Sequence, residues 1–311
     1  MISQRGFHVA GFLNGKVVAV TGAGRGIGRA VAMLAAEEGA KVIVADYGVG
    51  QDGSEPTSEI ADEVVAEITA AGGEAVAIAN DVSTMEGGQG IVDLAMEKWG
   101  RIDGVVCVAG ILRERMLFNM TEDEFDDVVR VHTKGTFTLY RAASAVMRKQ
   151  ESGGSLIGFT SGVWALGSTA QANYAAAKGG IVSMTYAAAL GLARYGVRAN
   201  CIAPIARTRM SANVPFDIGP NGEPEDVAPM VIYLLSDAAK DVTGQVYTAV
   251  GNKIAVWSQP SEQRAMFTEG RWTPEEIAER LPTSIGTEVL PSLAKAEEMR
   301  RAATAGERPN A

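Results

Sequence analysis

The chain has 311 residues, 47% of them hydrophobic and 6% aromatic, with 36 glycines, a length and composition that suit a large α/β domain better than an all-β or disordered chain. Its formal net charge of −9 argues against nucleic acid as the main partner, since a phosphate-binding surface needs clustered Lys and Arg. No run approaches the roughly 18 apolar residues of a membrane span, and MISQRGFHVAGFLNG lacks the apolar centre of a secretory signal.

In chain order, Lys16–Thr21 (KVVAVT) is a Val-rich run ending in glycines, which predicts a buried parallel strand. From Ile27, RAVAMLAAEEG predicts a helix that closes on Gly39. Residues 41–45 (KVIVA) read as a second strand ending at Asp46, and a polar loop then leads into the helix SEIADEVVAEITAAGG. A third strand over 74–79 ends at Asn80-Asp81-Val82; a helix to Trp99 and a fourth strand over 102–109, ending in Gly110, follow. Thr121–Gln150 reads as one long helical region opened by a Thr121-x-x-Glu124 capping box. Ser155–Thr160 is a fifth strand that delivers Ser161 at its end. An Ala-rich helix from about Ala172, a sixth strand over 197–203, a helix over Glu225–Leu235 and a last strand over Gln245–Val250 complete the series.

This alternation predicts βαβ units: one Rossmann-like domain over 14–251, a doubly wound parallel sheet of about seven strands with helices on both faces. Residues 204–222 read as a built-in substrate flap. Residues 252–311 read as a partly irregular C-terminal extension, with a helix start at Thr273-Pro274-Glu275-Glu276 and fraying after Met299. Cys107 and Cys201 lie inside apolar runs, so free thiols in a reducing cytoplasm are expected. His8 and His132 are the only histidines and stand far apart in sequence, so no metal site is expected.

The turn after the first strand, TGAGRGIG, fits T-G-x-x-x-G-x-G through Gly22, Gly26 and Gly28, with Arg25 and Ile27 between them. Glycines there let backbone N–H groups approach a pyrophosphate at the positive end of a helix. The bland alternative is a tight turn that serves packing alone. Asp46 stands where a carboxylate accepts from an adenosine ribose 2′-OH and repels a 2′-phosphate. Arg25 works the other way, because a guanidinium pairs with such a phosphate. An unpaired carboxylate facing phosphate is the larger penalty, so NAD is expected over NADP. Asp81 and Val82 lie where an adenine ring would rest.

The stretch SGVWALGSTAQANYAAAK holds Ser161 and, on one helix face at i and i+4, Tyr174 and Lys178. A phenol with a free pKa of about 10 is a poor base. A neighbouring ammonium and a cationic cofactor ring would bring that value toward working pH. Ser161 would donate to a substrate oxygen, and Lys178 to ribose hydroxyls. As bland readings, Tyr174 and Lys178 would decorate a buried helix and Ser161 a loop.

With the glycine turn, Asp81-Val82, Ala109-Gly110, Ser161 and Tyr174-x-x-x-Lys178 in this order, the chain over about 14–250 resembles the short-chain dehydrogenase/reductase family. RERMLFNMTEDEFDDVVRVHTKGTF, QANYAAAKGGI and RYGVRANCIAPIARTRM resemble one branch, the (3R)-hydroxyacyl-CoA dehydrogenase part of the peroxisomal multifunctional β-oxidation enzyme and its bacterial relatives. That resemblance implies an NAD-dependent oxidoreductase interconverting a secondary alcohol and a ketone. It also implies a homodimer or homotetramer joined through the long central helices.

Three departures stand out from the family pattern. Cys107-Val108 replaces a usual Asn-Asn, removing amides that would support the sheet and cofactor site. His132 replaces the usual active-site Asn, and can act through its backbone carbonyl or as a pH-sensitive side chain. Pro204-Ile205 replaces Pro-Gly, while Thr208 stands where the nicotinamide carboxamide would be held.

For the substrate, 204–222 and 111–119 are expected at the entrance. Trp164, Leu166, Met210 and Phe216, with Met116, Leu117 and Phe118, are apolar candidates for an acyl or steroid pocket, plain core being the commoner fate of such residues. Arg113, Arg115, Arg207 and Arg209 are candidates for CoA phosphates. A bulky alcohol carrying CoA is the leading expectation. A steroid- or terpene-type free alcohol, and a degenerate NAD-binding regulatory member without turnover, are the alternatives.

Overall fold

The computed structural model describes residues 11–48, 59–206, 222–286 and 289–304. Its strands are β1 (Val17–Thr21), β2 (Lys41–Ala45), β3 (Glu74–Ile78), β4 (Gly104–Cys107), β5 (Gly154–Phe159), β6 (Val197–Pro204), β7 (Val246–Val250) and β8 (Lys253–Val256). They form one sheet in the order β3-β2-β1-β4-β5-β6-β7-β8, parallel throughout except for the β7–β8 pair. β1 pairs with β2 from Val17↔Lys41 to Thr21↔Ala45 and with β4 from Val18↔Gly104 to Thr21↔Cys107. The winding reverses between these two pairings, and ligands of such sheets bind outside the carboxyl ends of the strands at that point.

The period-two alternation of a strand explains why β1 is apolar from Val17 to Val20. Val18 and Val20 face one layer, packed with Val31 of α1 (Gly26–Glu37), Val64 of α2 (Glu59–Ala70) and Leu234 of α8 (Ala228–Leu235). Val17 and Ala19 face the other. There they meet Ile91 of α3 (Met85–Trp99), Leu139 of α5 (Gly135–Met147) and Ala189 of α7 (Ala172–Leu192). A strand with both faces covered has no polar side, so it reads as a continuous apolar run.

The structure departs from the sequence reading in three places. The single helix expected over 121–150 is α4 (Glu122–Val129), a π-helical turn over Arg130–Lys134, and α5. The capping box is present, with Thr121 Oγ1 accepting from Glu124 N and Glu124 Oε2 from Thr121 N.

The second departure is the strand β8, paired antiparallel with β7 from Tyr247↔Val256 to Val250↔Lys253. The two-residue turn Gly251-Asn252 joins them, and Gly251, with φ of 50°, supplies the positive φ that a tight hairpin turn needs. The sheet therefore extends past residue 251.

Thirdly, a second compact unit begins at Ser258. It contains α9 (Pro274–Arg280), opened by the capping box of Thr273 and Glu276, and α10 (Pro291–Thr304), which continues beyond Met299.

Candidate active site

A cleft of about 880 Å³ opens across the carboxyl ends of the strands. One side of it is made mostly of backbone. Gly22, with φ of 64°, and Gly26, with φ of 51°, turn the chain from β1 into α1. A Cβ on Gly22 would fall 2.9 Å from the Ala109 backbone, and one on Gly28 2.0 Å from the Gly22 carbonyl oxygen. Gly28 is buried and lets helix and strand approach, whereas Gly22, Arg25, Gly26 and Ile27 line the cleft.

No side chain among the described residues caps the N-terminus of α1, which leaves its amide groups open to an anion. Asp46 lines the cleft at the end of β2, where Oδ2 accepts from Gly24 N and Oδ1 from Gly48 N, both at 2.7 Å. Asp81, Val82, Ala109 and Gly110 line it too. An uncapped helix start beside a glycine cradle, with a fixed carboxylate one strand away, fits a nicotinamide dinucleotide.

The opposite side is made of side chains. Ser161, Tyr174 and Lys178 all line the cleft. Two bonds tie the end of β5 to α7 and bring Ser161 and Lys178 together: Lys178 Nζ donates to the Phe159 carbonyl at 2.6 Å, and Thr160 Oγ1 donates to the Lys178 carbonyl at 2.9 Å. Lys178 Nζ stands 5.3 Å from the centre of the Tyr174 ring.

Asn173, 1% exposed, fixes the start of α7. Its Nδ2 donates to the carbonyls of Arg113 and Glu124 at 2.8 Å, and its Oδ1 accepts from Tyr174 N. Neither Thr160 nor Asn173 is singled out by the sequence, although Asn173 sits beside Tyr174 in the motif. Just before α7, Ala170 is the only described non-glycine residue with positive φ, 61°, a strained conformation at the rim of the cleft.

Burial sets the protonation states. It pushes the Tyr174 phenol up to about 12, and the Ser161 hydroxyl works against that rise. It pulls the Lys178 ammonium down to about 7, the Cys201 and Cys107 sulfurs opposing. Before any ligand is present, Tyr174 therefore holds its proton, and its pKa lies above rather than below the free value.

Residues 22–251 match the family described as Enoyl-(Acyl carrier protein) reductase. Hydroxyacyl-CoA dehydrogenase ChsB1 of Mycobacterium tuberculosis is 41% identical over 285 residues, covering 86% of this chain and 88% of that protein. The solved structure of a short chain dehydrogenase from Mycobacterium avium is 42% identical, with a TM-score of 0.82 over 90% of this chain and 98% of that one. The chain belongs to the short-chain dehydrogenase/reductase family. It is thus an oxidoreductase that acts on CH–OH groups with a nicotinamide dinucleotide. Peroxisomal multifunctional enzyme type 2 of Mus musculus is 41% identical over 240 residues, which span 76% of this chain and 32% of that protein. No helix among the described residues is long and apolar enough to cross a membrane.

The family departures now have surroundings. Where amides are lost at Cys107-Val108, Thr21 Oγ1 accepts from Ala109 N at 3.3 Å, and Val108 packs against the core. The Cys107 thiol is pushed up by burial, which leaves it a packing group. Pro204 and Ile205 line the cleft; Thr208, Met210, Phe216, Arg207 and Arg209 lie outside the described residues, as does nearly all of 204–222.

His132 lies in the π-helical turn, 2% exposed, at the cleft wall. Its Nε2 meets the Ile111 carbonyl at 2.8 Å and the Ile111 amide at 3.1 Å. Its ring stands edge-on to Tyr174 with centres 5.2 Å apart. Its carbonyl accepts from Thr136 Oγ1 at 2.8 Å. Burial, then the Lys178 charge, holds the imidazole well below its usual pKa. A side chain held neutral in this way is no pH switch near neutrality, which corrects that part of the sequence reading.

Leu166 lines the cleft beside Val163, but Trp164 does not. Trp164 turns away and packs with Trp257, Ile181 and Ala203, so its place among the pocket candidates is corrected. On α6 (Val163–Leu166) Val163 and Leu166, at i and i+3, share the cleft face and Trp164 does not, a difference that apolar composition cannot distinguish. Arg113 lines the cleft, whereas Arg115 forms an exposed ion pair with Glu124. Met116, Leu117 and Phe118 are exposed and stand off the cleft wall. Arg130 and Asp127, also at the wall, carry no sequence signal.

Proposed function

We propose that this chain is an NAD-dependent dehydrogenase of a 3-hydroxyacyl-CoA, with Ser161, Tyr174 and Lys178 as its catalytic residues. The convergence of those three side chains at one cleft with Asp46 at the end of β2 carries the reading. The likeness to hydroxyacyl-CoA dehydrogenase ChsB1 over 86% of the chain supports the substrate class.

When bound, the nicotinamide supplies the hydride acceptor for oxidation and the donor for reduction. The amide groups at the start of α1 hold the pyrophosphate. The Asp46 carboxylate accepts from the adenosine ribose and repels a 2′-phosphate, which favours NAD over NADP. The Ser161 hydroxyl donates to the substrate oxygen and orients it. Tyr174 takes the alcohol proton in oxidation and returns it to the ketone in reduction. Burial pushes the phenol up to about 12, so at rest it carries its own proton and must release that to solvent before it can accept one from the alcohol; oxidation therefore runs faster as pH rises. The charge on Lys178 stabilises the phenolate as it forms. His132 holds Ile111 at the wall and sets the edge-on surface against which the Tyr174 ring rests.

Tyr174→Phe should abolish NADH formation while NAD still binds; a near-normal rate would sink this assignment. Comparing (3R)-3-hydroxyoctanoyl-CoA with free 3-hydroxyoctanoate and a hydroxysteroid tests the substrate class. Equal rates with and without CoA would transfer the proposal to free alcohols. A homodimer or homotetramer is the proposed assembly, supported by Phe125, Phe137 and Leu190 on α4, α5 and α7, exposed apolar side chains that a second copy would cover. Light scattering showing a monomer would overturn that part. The two buried free thiols suit a cytoplasmic setting.

A further inference from the structure

Behind Ser161, on the side away from the cleft, stands a residue outside the family-matched segment 22–251: Trp257, which directly follows β8. It is held at two points. Its backbone N–H donates to the Val246 carbonyl, and its indole Nε1 donates to Thr248 Oγ1, both at 2.9 Å. Both acceptors belong to β7, so the hairpin fixes the ring against the sheet.

The benzo edge of that ring meets the loop that carries Ser161. Its Cζ2 and Cη2 lie 3.7 and 3.9 Å from where a Cβ on Gly162 would stand. It also packs against Trp164 at 5.6 Å between ring centres, inclined by 60°. Trp164 in turn closes the first turn after the catalytic residue, its N–H donating to the Ser161 carbonyl at 3.0 Å.

The Trp164 indole Nε1 is buried and has no hydrogen-bond partner among the described residues. An indole N–H left unpaired gives no polar anchor, so packing sets this ring's position. The packing surface is Trp257 with Ile181, Val182 and Ala203. From the same short segment, Gly162, Val163 and Leu166 face the cleft.

We infer that Trp257 is a positioning residue: through Gly162 and Trp164 it holds the Ser161 hydroxyl and the cleft-facing wall of α6 in register with Tyr174. The β7–β8 hairpin is then part of the site's support. The inference rests on the reading of Ser161 as the group that orients the substrate.

Loss of the brace displaces the Ser161 donor and the α6 wall without touching the cofactor cradle. Small misplacements of a reacting group are costly, about a hundredfold per ångström. Trp257→Ala should therefore lower kcat for (3R)-3-hydroxyoctanoyl-CoA by at least about tenfold, with the KM for NAD unchanged. Trp257→Phe, which keeps a flat ring, should recover most of the loss. Thr248→Val, which removes only the indole's acceptor, should give a smaller loss in the same direction.

In a Ser161→Ala background, Trp257→Ala should lower kcat by less than about a further twofold, because the two changes act on kcat through one group. Without any substrate, the inclined indole pair should give a far-ultraviolet circular-dichroism couplet that either single Trp→Phe change removes. Two results overturn the inference: Trp257→Ala at the wild-type kcat while Ser161→Ala is slow, or full additivity of the two changes. A couplet absent from the wild type overturns the Trp164–Trp257 pairing on which it stands. A Ser161→Ala enzyme at the wild-type rate would instead strike at the proposed function.

Discussion

The glycine turn and the Ser161–Lys178 stretch line the same cleft but are built from opposite materials. On the first, the design lies in missing side chains: Gly22 and Gly28 leave room for backbone, and no described side chain caps the start of α1. On the second, it lies in side chains placed by other side chains: Asn173 pins the start of α7, and Thr160 with Lys178 locks that helix to β5. Adding an atom should therefore ruin the first region, and removing one should ruin the second.

The largest effect is expected from Gly28→Ala. Its methyl would fall 2.0 Å from the Gly22 carbonyl oxygen, and backbone atoms cannot swing aside. Clearing the clash means moving the turn by more than about 1 Å, which costs over about a hundredfold in rate, and overpacking of this kind costs roughly 1–3 kcal/mol of stability. NAD titration and thermal unfolding should both report the loss. Wild-type values for both would show that the turn yields, and the contrast between the regions would weaken.

Ser161→Ala should lower kcat by about a hundredfold, the scale for removing one donor to a developing oxyanion, with NAD affinity and unfolding unchanged. It should also move the pH profile. Ser161 lowers the Tyr174 pKa, so its removal raises it, and the rising limb of alcohol oxidation shifts to higher pH. A shift to lower pH would contradict the hydrogen-bonded arrangement.

Asp46 joins the two materials, being a side chain held by backbone amides of Gly24 and Gly48. Asp46→Asn keeps an oxygen acceptor and deletes the charge that repels a 2′-phosphate. The ratio of NADP to NAD efficiency should rise about tenfold, the scale of one lost charge contact. An unchanged ratio would assign the discrimination to Arg25 or to another group.

The same contrast explains what could be read from the sequence. Glycine spacing, the Tyr174-x-x-x-Lys178 interval and the apolar strands are local patterns fixed by covalent geometry, and each emerged where its spacing placed it. The π-helical turn at His132 leaves the apolar periodicity of 121–150 undisturbed, so the region reads as one helix. β8 is short and its side chains are half exposed, but Gly251-Asn252 between VYTAV and KIAV is a hairpin signal that was legible. The support given by Asn173 and Thr160 depends on partners on other elements, as does the direction of Trp164. No window of sequence contains those.

Leu166→Ala gives the smallest expected effect and tests the division at its finest scale. Leu166 is 38% exposed at the cleft, one turn of α6 from Ser161. Truncation removes apolar surface that a bound acyl chain would cover, at about 0.8 kcal/mol for each methylene buried. Because the side chain is only partly covered, the loss should be close to 1 kcal/mol, or about a fivefold rise in the acyl-CoA KM with kcat unchanged. Leu166 and Trp164 sit two residues apart on one short helix, yet one lines the cleft and the other meets Trp257. If Leu166→Ala lowered kcat and left KM alone, α6 would act as a strut on both of its faces, and the substrate wall would have to be sought across the cleft, at Ile205 and Leu112.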